Sequence, residues 1–271
     1  MAMAPPLRAI VTRPAGQAAQ WVAGFSAQGI SAHSFPLIDI ADALSDVERQ
    51  ALQVRAAQAD VCMWVSANAV AFFFKSNQAL AMENIAEVAI SSVVSSTILR
   101  HWATGPGTVA ALRLHGVPMD RIDAPDAHAA QWDSEALWQR VAGQIKPGRT
   151  VLILRGTDVG TPSASRDWLA SQVRAAGGAV ECAAVYERRV PRFSAAQLAW
   201  AQQAAVDASV WVFSSSQALT HLPVIEGGWQ HARCIATHER IAQAARAKGF
   251  AVVCTSRPTM EDVVRSIKSL P

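Results

Sequence analysis

Along the chain, short apolar runs rich in Val, Ile, Trp and Phe alternate with Ala-rich stretches whose apolar positions recur every three or four residues. The first pattern suits strands buried on both faces and the second suits amphipathic helices. Their alternation is the signature of βαβ units around a mainly parallel sheet. Strands are predicted at Ala9–Thr12, Val61–Val65, His101–Thr104, Arg121–Ala124, Thr150–Arg155, Val180–Tyr186, Ser209–Ser214, Cys234–Thr237 and Ala251–Thr255. Helices are predicted between them, and four end at a glycine: Gln17–Gln28 at Gly29, Thr108–His115 at Gly116, Asp167–Ala176 at Gly177 and Ile241–Lys248 at Gly249. A glycine there suits the left-handed backbone position that terminates a helix.

A faint internal repeat runs through these elements. Asp60-Val-Cys-Met-Trp-Val-Ser-Ala-Asn-Ala-Val70 is similar to Ser209-Val-Trp-Val-Phe-Ser-Ser-Ser-Gln-Ala-Leu219, each a strand followed by a Ser-bearing turn and a helix start. Trp102-Ala-Thr with Gly116 pairs with Ile235-Ala-Thr with Gly249, and Ile10-Val-Thr-Arg-Pro pairs with Ile153-Leu-Arg-Gly. The predicted fold is α/β: two similar flavodoxin-like or Rossmann-like domains with mainly parallel sheets, joined by a two-stranded β hinge. The order of the repeat elements implies that one domain is inserted in the other. Residues 1–38 and 187–271 form a discontinuous domain, residues 39–186 the inserted one, and the hinge strands lie near 32–40 and 180–190.

A length of 271 residues accommodates two domains, and a charged fraction of 17% beside 51% hydrophobic residues excludes a disordered chain. No stretch reaches the roughly 18 apolar residues needed to span a bilayer, since even Val88–Ile98 is broken by serines. The start lacks the apolar core of a leader, so a cytoplasmic location is expected. Cys62, Cys182, Cys234 and Cys254 stand singly in apolar surroundings, which predicts buried reduced thiols. The net charge of +3 is too small to imply nucleic acid and is compatible with a small anionic ligand. It is also uneven. Residues 39–186 hold 12 Lys and Arg against 15 Asp and Glu, whereas the rest hold 12 against 6, so the discontinuous domain is the basic half.

Four strand-to-helix turns stand out: Thr12-Arg13-Pro14, Ser66-Ala67-Asn68, Thr104-Gly105-Pro106-Gly107-Thr108 and Ser214-Ser215-Ser216. Such turns present hydroxyls and free backbone N–H groups at the carboxyl edge of an open sheet, where helix N-termini favour anions. Singly each reads first as a helix cap. Together they suit a ligand carrying several carboxylates or phosphates. The chain has no GxGxxG fingerprint, no GK[ST] after Arg155–Gly160, no GxSxG and no HExxH. Its histidines (33, 101, 115, 128, 221, 231 and 238) are scattered, and only His238 falls at a helix-start turn. Tyr186 is the single tyrosine beside nine Trp and eight Phe, and it lies on a predicted hinge strand. A lone Tyr on a strand reads first as a packing residue.

In these features the chain resembles the uroporphyrinogen-III synthase family. The resemblance runs through Val11-Thr-Arg-Pro14, Val65-Ser-Ala-Asn-Ala-Val70, Thr104–Thr108, Val151-Leu-Ile-Leu-Arg-Gly156, Val185-Tyr186, Phe213–Ser216 and Ile235–Ile241 with Lys248-Gly-Phe250. It implies a monomeric enzyme without metal or organic cofactor that cyclises hydroxymethylbilane to uroporphyrinogen III, with inversion of ring D and loss of water, and that binds neither nucleic acid nor membrane. The implied substrate contacts are Thr12, Arg13, Ser66, Asn68, Ala69, Gly105, Thr108, Arg155, Gly156, Ser214, Ser215, Ser216, Thr237, His238 and Arg240. Tyr186 becomes the candidate donor of a proton or hydrogen bond to the departing hydroxyl. One turn departs from the pattern: Thr237-His238-Glu239-Arg240 puts an acid where a substrate carboxylate is expected. The other readings of the residues are a cytoplasmic two-domain module that binds an anionic metabolite, and a catalytically degenerate relative of the synthases.

Overall fold

The computed structural model describes residues 7–75, 91–94, 99–126, 132–159 and 168–270. His128, Gly160, Asp167 and half of the Ser-rich stretch 90–97 lie outside them. The described residues divide into two compact units, Met1–Ile40 with Arg189–Pro271, and Ala41–Arg188. The chain therefore crosses from one unit to the other two residues later, at both ends, than the 39–186 segment predicts.

The first unit holds a five-stranded sheet built from β1 (Arg8–Val11), β2 (Ser31–Ser34), β9 (Val210–Phe213), β10 (Arg233–Ala236) and β11 (Val252–Thr255), in the order β11-β10-β9-β1-β2. The second holds β3 (Asp39–Asp42), β4 (Val61–Trp64), β5 (Arg100–Ala103), β6 (Ile122–Asp123), β7 (Thr150–Asp158) and β8 (Ala179–Arg189), in the order β3-β8-β7-β4-β5-β6. Apart from β3, the two orders match strand for strand: β1 corresponds to β7, β2 to β8, β9 to β4, β10 to β5 and β11 to β6. The sequence repeat is thus a repeat of topology, and the eight pairings among these ten strands are parallel.

The apolar runs are continuous because both faces of these strands are covered. In the first unit Ile10, Trp211, Phe213 and Cys234 face one core cluster, while Ala9, Val11, Val210, Val212 and Ile235 face another on the opposite side. That is the two-residue alternation of a strand, with apolar partners on each side. The four predicted closing glycines all have positive φ, between 73° and 91°. The extended segment 32–40 is not one strand: it divides into β2, beside β1, and β3, beside β8. Pro36, which has no N–H to donate, interrupts it. Cys62 and Cys234 are buried, and burial raises both thiols above their ordinary pKa, but Cys182 is exposed and Cys254 partly so. These last two sit on strands at or next to a sheet edge, so the expectation of four buried thiols is corrected.

In the second unit, Trp64 Nε1 donates to His101 Nδ1 at 3.2 Å, which leaves the His101 proton on Nε2, 3.2 Å from the Val93 carbonyl. Burial pushes this imidazole down to about 4. Its ordinary value lies near 6.5, so between those limits the unfolded chain binds a proton that the folded chain refuses, and stability is lost as pH falls. His33 and His115 are shifted in the same direction, chiefly by burial. The urea unfolding free energy is expected to be about 2 kcal/mol smaller at pH 5 than at pH 7; equal values would show that His101 is not held neutral.

Candidate active site

The second unit builds its site at the carboxyl edge of β4 and β7. Ser66 follows β4 and caps the helix Ala67–Phe73, its Oγ accepting from the Ala69 N–H at 3.2 Å. The far end of that short helix is held by buried side chains of the helix Asp46–Gln58: Arg49 donates to the Phe72 carbonyl and Gln53 to that of Phe73 at 2.8 Å. Arg49 also pairs with Asp42, which ties the helix to β3. Carbonyls at a helix end have no intrahelical partner, so these bonds fix where the helix, and hence Ser66, stands.

Tyr186 reaches this turn from β8. It is only 4% exposed, and its hydroxyl lies 3.1 Å from Ser66 Oγ. Two features of the β7/β8 pair bring it there. The register shifts at Arg155/Gly156, so Arg155 is level with Ala184 but Gly156 with Tyr186, and Val185 is the extra residue. Without that bulge Tyr186 would be level with the residue after Gly156 and would face the other side of the sheet. The second feature is Gly156 itself. A Cβ there would lie 2.3 Å from Tyr186 Cζ, so only glycine lets the ring cross the β7 backbone. Phe72 packs beside the ring at 5.8 Å.

Several of the other candidates are committed within the fold. Thr12 is buried and donates to the Val212 carbonyl at 2.7 Å, so its hydroxyl joins β1 to β9. The Ala69 N–H is taken by Ser66, and Thr108 is buried with its N–H on the Gly105 carbonyl. Gly105 opens the helix Pro106–Leu114 with no side-chain cap. Asn68 and Arg155 are half-buried. In the first unit Ser215 caps the helix Ser216–Thr220 by accepting from Gln217 N, between half-buried Ser214 and Ser216. Thr237 is buried and donates its N–H to the Phe213 carbonyl, and exposed His238 caps the helix Glu239–Ala247 through Nδ1. Glu239 points away from a ligand role. It pairs with Arg246 at 2.9 Å and accepts from Thr255, partners that hold its carboxyl below the usual range.

Strand register aligns the repeats more closely than sequence does. Leu154 is level with Trp64, two residues before the capping Ser66, while Val11 is level with Val212, three before the capping Ser215. Thr12 is therefore the counterpart of Leu154, and Arg13 the counterpart of Arg155. Arg13 stacks on Trp21, with Cζ 4.3 Å from the ring centre, and contacts Gln17 at 3.4 Å. Its Nε is buried without a partner, no acid among the described residues pairs with it, and burial alone lowers it to about 10. A guanidinium of this kind at a sheet edge suits an anion. Among the described residues no three His, Cys, Asp or Glu are grouped to hold a metal ion.

A family model described as uroporphyrinogen-III synthase HemD matches residues 19–265. The chain belongs to the uroporphyrinogen-III synthase family. Membership makes it a lyase of porphyrin biosynthesis that acts on a tetrapyrrole. Two solved structures show the same two-domain fold. The uroporphyrinogen-III synthetase of Helicobacter pylori is 13% identical with a TM-score of 0.58, covering 98% of this chain and 100% of its own. A mutant uroporphyrinogen III synthase from the extremely thermophilic bacterium Thermus thermophilus is 15% identical with a TM-score of 0.53, covering 97% and 96%. No curated protein matches the sequence. None of the described helices is long and apolar enough to cross a membrane.

Sequence reasoning passed over Arg188, which neighbours Tyr186, and its partner Asp158, and gave no reason for Gly156. An isolated glycine inside a strand pattern is a signal of close approach, and Tyr186 and Arg188 stand two apart, on one face of a strand.

Proposed function

We propose that the enzyme, a cytoplasmic monomer, closes hydroxymethylbilane to uroporphyrinogen III, with Tyr186 donating to the departing hydroxyl and the turns past the sheet edges holding the substrate carboxylates. The observation that carries this reading is the buried Tyr186 hydroxyl beside Ser66 Oγ at a helix start. A phenol hydroxyl carries a proton that it can donate in a hydrogen bond. When the hydroxyl leaves, the pyrrole nitrogen stabilises the resulting azafulvene cation, and closure without ring inversion occurs unaided. The protein's task is therefore mainly one of orientation, which many contacts to carboxylates supply. Supplied with enzymatically generated hydroxymethylbilane, the purified protein is expected to yield the type III isomer; the spontaneous type I isomer alone would leave it a binder or a degenerate relative.

The basic character of the first unit assigns Arg13 and Arg240 to the carboxylates. Exposed Arg240 pairs with no acid among the described residues. The double variant Arg13→Ala, Arg240→Ala is expected to raise KM roughly tenfold at low salt, the worth of a charged hydrogen bond, and to flatten its salt dependence. A KM that keeps the wild-type salt slope would remove both arginines from binding.

A further inference from the structure

Past the bulge, Gly156 is level with Tyr186 and Asp158 with Arg188. Residues two apart on a strand share a face, so all four stand on one side of the β7/β8 pair. Arg188 Nε donates to Asp158 Oδ1 at 2.7 Å, and its Cζ lies 5.9 Å from the centre of the Tyr186 ring. Two apart on β8, Tyr186 and Arg188 are therefore neighbours on that face. Arginine has donors and no acceptor, so it can meet the phenol oxygen only as a donor, which leaves the phenol proton for another partner.

We infer that Arg188, fixed by Asp158, is a positioning residue that aims the Tyr186 proton and meets the negative charge the phenol oxygen gains on giving that proton up. The inference rests on the reading of Tyr186 given above and extends it. In the step concerned, the C–O bond of the hydroxymethyl group breaks and the oxygen keeps the electron pair. It takes the phenol proton and departs as water. The carbon becomes the azafulvene cation, and the phenolate stands beside a guanidinium. Ring closure later releases one proton, which returns to the phenolate, so the net change is the loss of one water and Tyr186 is restored. Arg188 is suited to this part. Burial works against its charge, but the hydrogen bond and charge of Asp158 favour it, and its pKa is raised.

A purely structural Arg188 would staple β7 to β8 and act independently of Tyr186. A double-mutant cycle separates the two roles. Arg188→Met is expected to lower kcat about tenfold with KM within about twofold, the loss of one charge-assisted hydrogen bond. Arg188→Lys should restore part of kcat, Asp158→Asn should lower it less than Arg188→Met, and the urea midpoints report folding in each. In the Tyr186→Phe background, Arg188→Met should then have no further effect. An equal loss from Arg188→Met in both backgrounds, or no loss in either, would overturn the role of Arg188 while leaving Tyr186 in place. A Tyr186→Phe variant as active as wild type would overturn the reading of Tyr186 itself, and the role of Arg188 with it.

Discussion

Tyr186→Phe is expected to lower kcat about 100-fold, the lower end of what a positioned proton donor contributes, while KM stays within about twofold. The change removes one oxygen and leaves the ring, so the contacts with Phe72 and with the backbone of Gly156 persist. What disappears is the 3.1 Å contact with Ser66 Oγ and the only hydroxyl that β8 brings to that turn. Folding should be affected little, because Ser66 keeps its bond from the Ala69 N–H. A drop in kcat with an unchanged urea midpoint therefore assigns the loss to chemistry. A kcat equal to wild type would return Tyr186 to the packing role that a lone strand tyrosine suggests.

Gly156→Ala is expected to have a comparable effect on kcat and a larger one on stability. The added Cβ would lie 2.3 Å from Tyr186 Cζ and 2.4 Å from Cε2, far inside van der Waals contact. The ring is buried, so it has little freedom to swing aside, and either the ring or the β7 backbone must move. Overpacking of this kind costs about 1–3 kcal/mol. Movement of the ring also carries the hydroxyl away from Ser66, and geometry at a reacting centre is sensitive to shifts of about 1 Å. The cause can be isolated. In a Tyr186→Leu background the clash is relieved, so Gly156→Ala should cost less stability there than in the wild type. Equal costs in the two backgrounds, measured by urea unfolding, would show that Gly156 is required for another reason.

The fold was legible because its signal is redundant. Strands buried on both faces leave unbroken apolar runs, and each closing glycine marks a helix end that only a positive φ satisfies. The repeat was legible too, since Ser66 and Ser215 cap helices at the same point after β4 and β9. Its alignment slipped by one residue at Arg13 and Arg155, because Ile10-Val and Ile153-Leu look alike and only the hydrogen-bonded register separates them. The helices Asp46–Gln58 and Ala195–Ala204 went unnamed although each opens on a capping box, Ser45 with Glu48 and Ser194 with Gln197.

The site was half legible. Its turns could be found because caps have a local signature. Whether a cap group is free to meet a ligand depends on partners far away in the chain. Thr12 is spent on Val212, 200 residues along, and Glu239 is engaged by Arg246 and Thr255. The bulge at Val185 left no mark in the sequence, since nothing in Ala184-Val185-Tyr186 shows which residue goes unpaired against β7. That bulge decides that Tyr186 faces Gly156 and Ser66, and with it which residues join the site.

The central claim is that the Tyr186 hydroxyl assists the departure of the substrate's hydroxyl. A bilane analogue whose leaving group departs without taking up a proton tests this most directly. Type III formation from that analogue, compared between wild type and Tyr186→Phe, should proceed at nearly equal rates although hydroxymethylbilane itself shows the full difference. If the variant remains as impaired with the analogue as with hydroxymethylbilane, Tyr186 acts on some other step and the assignment is wrong.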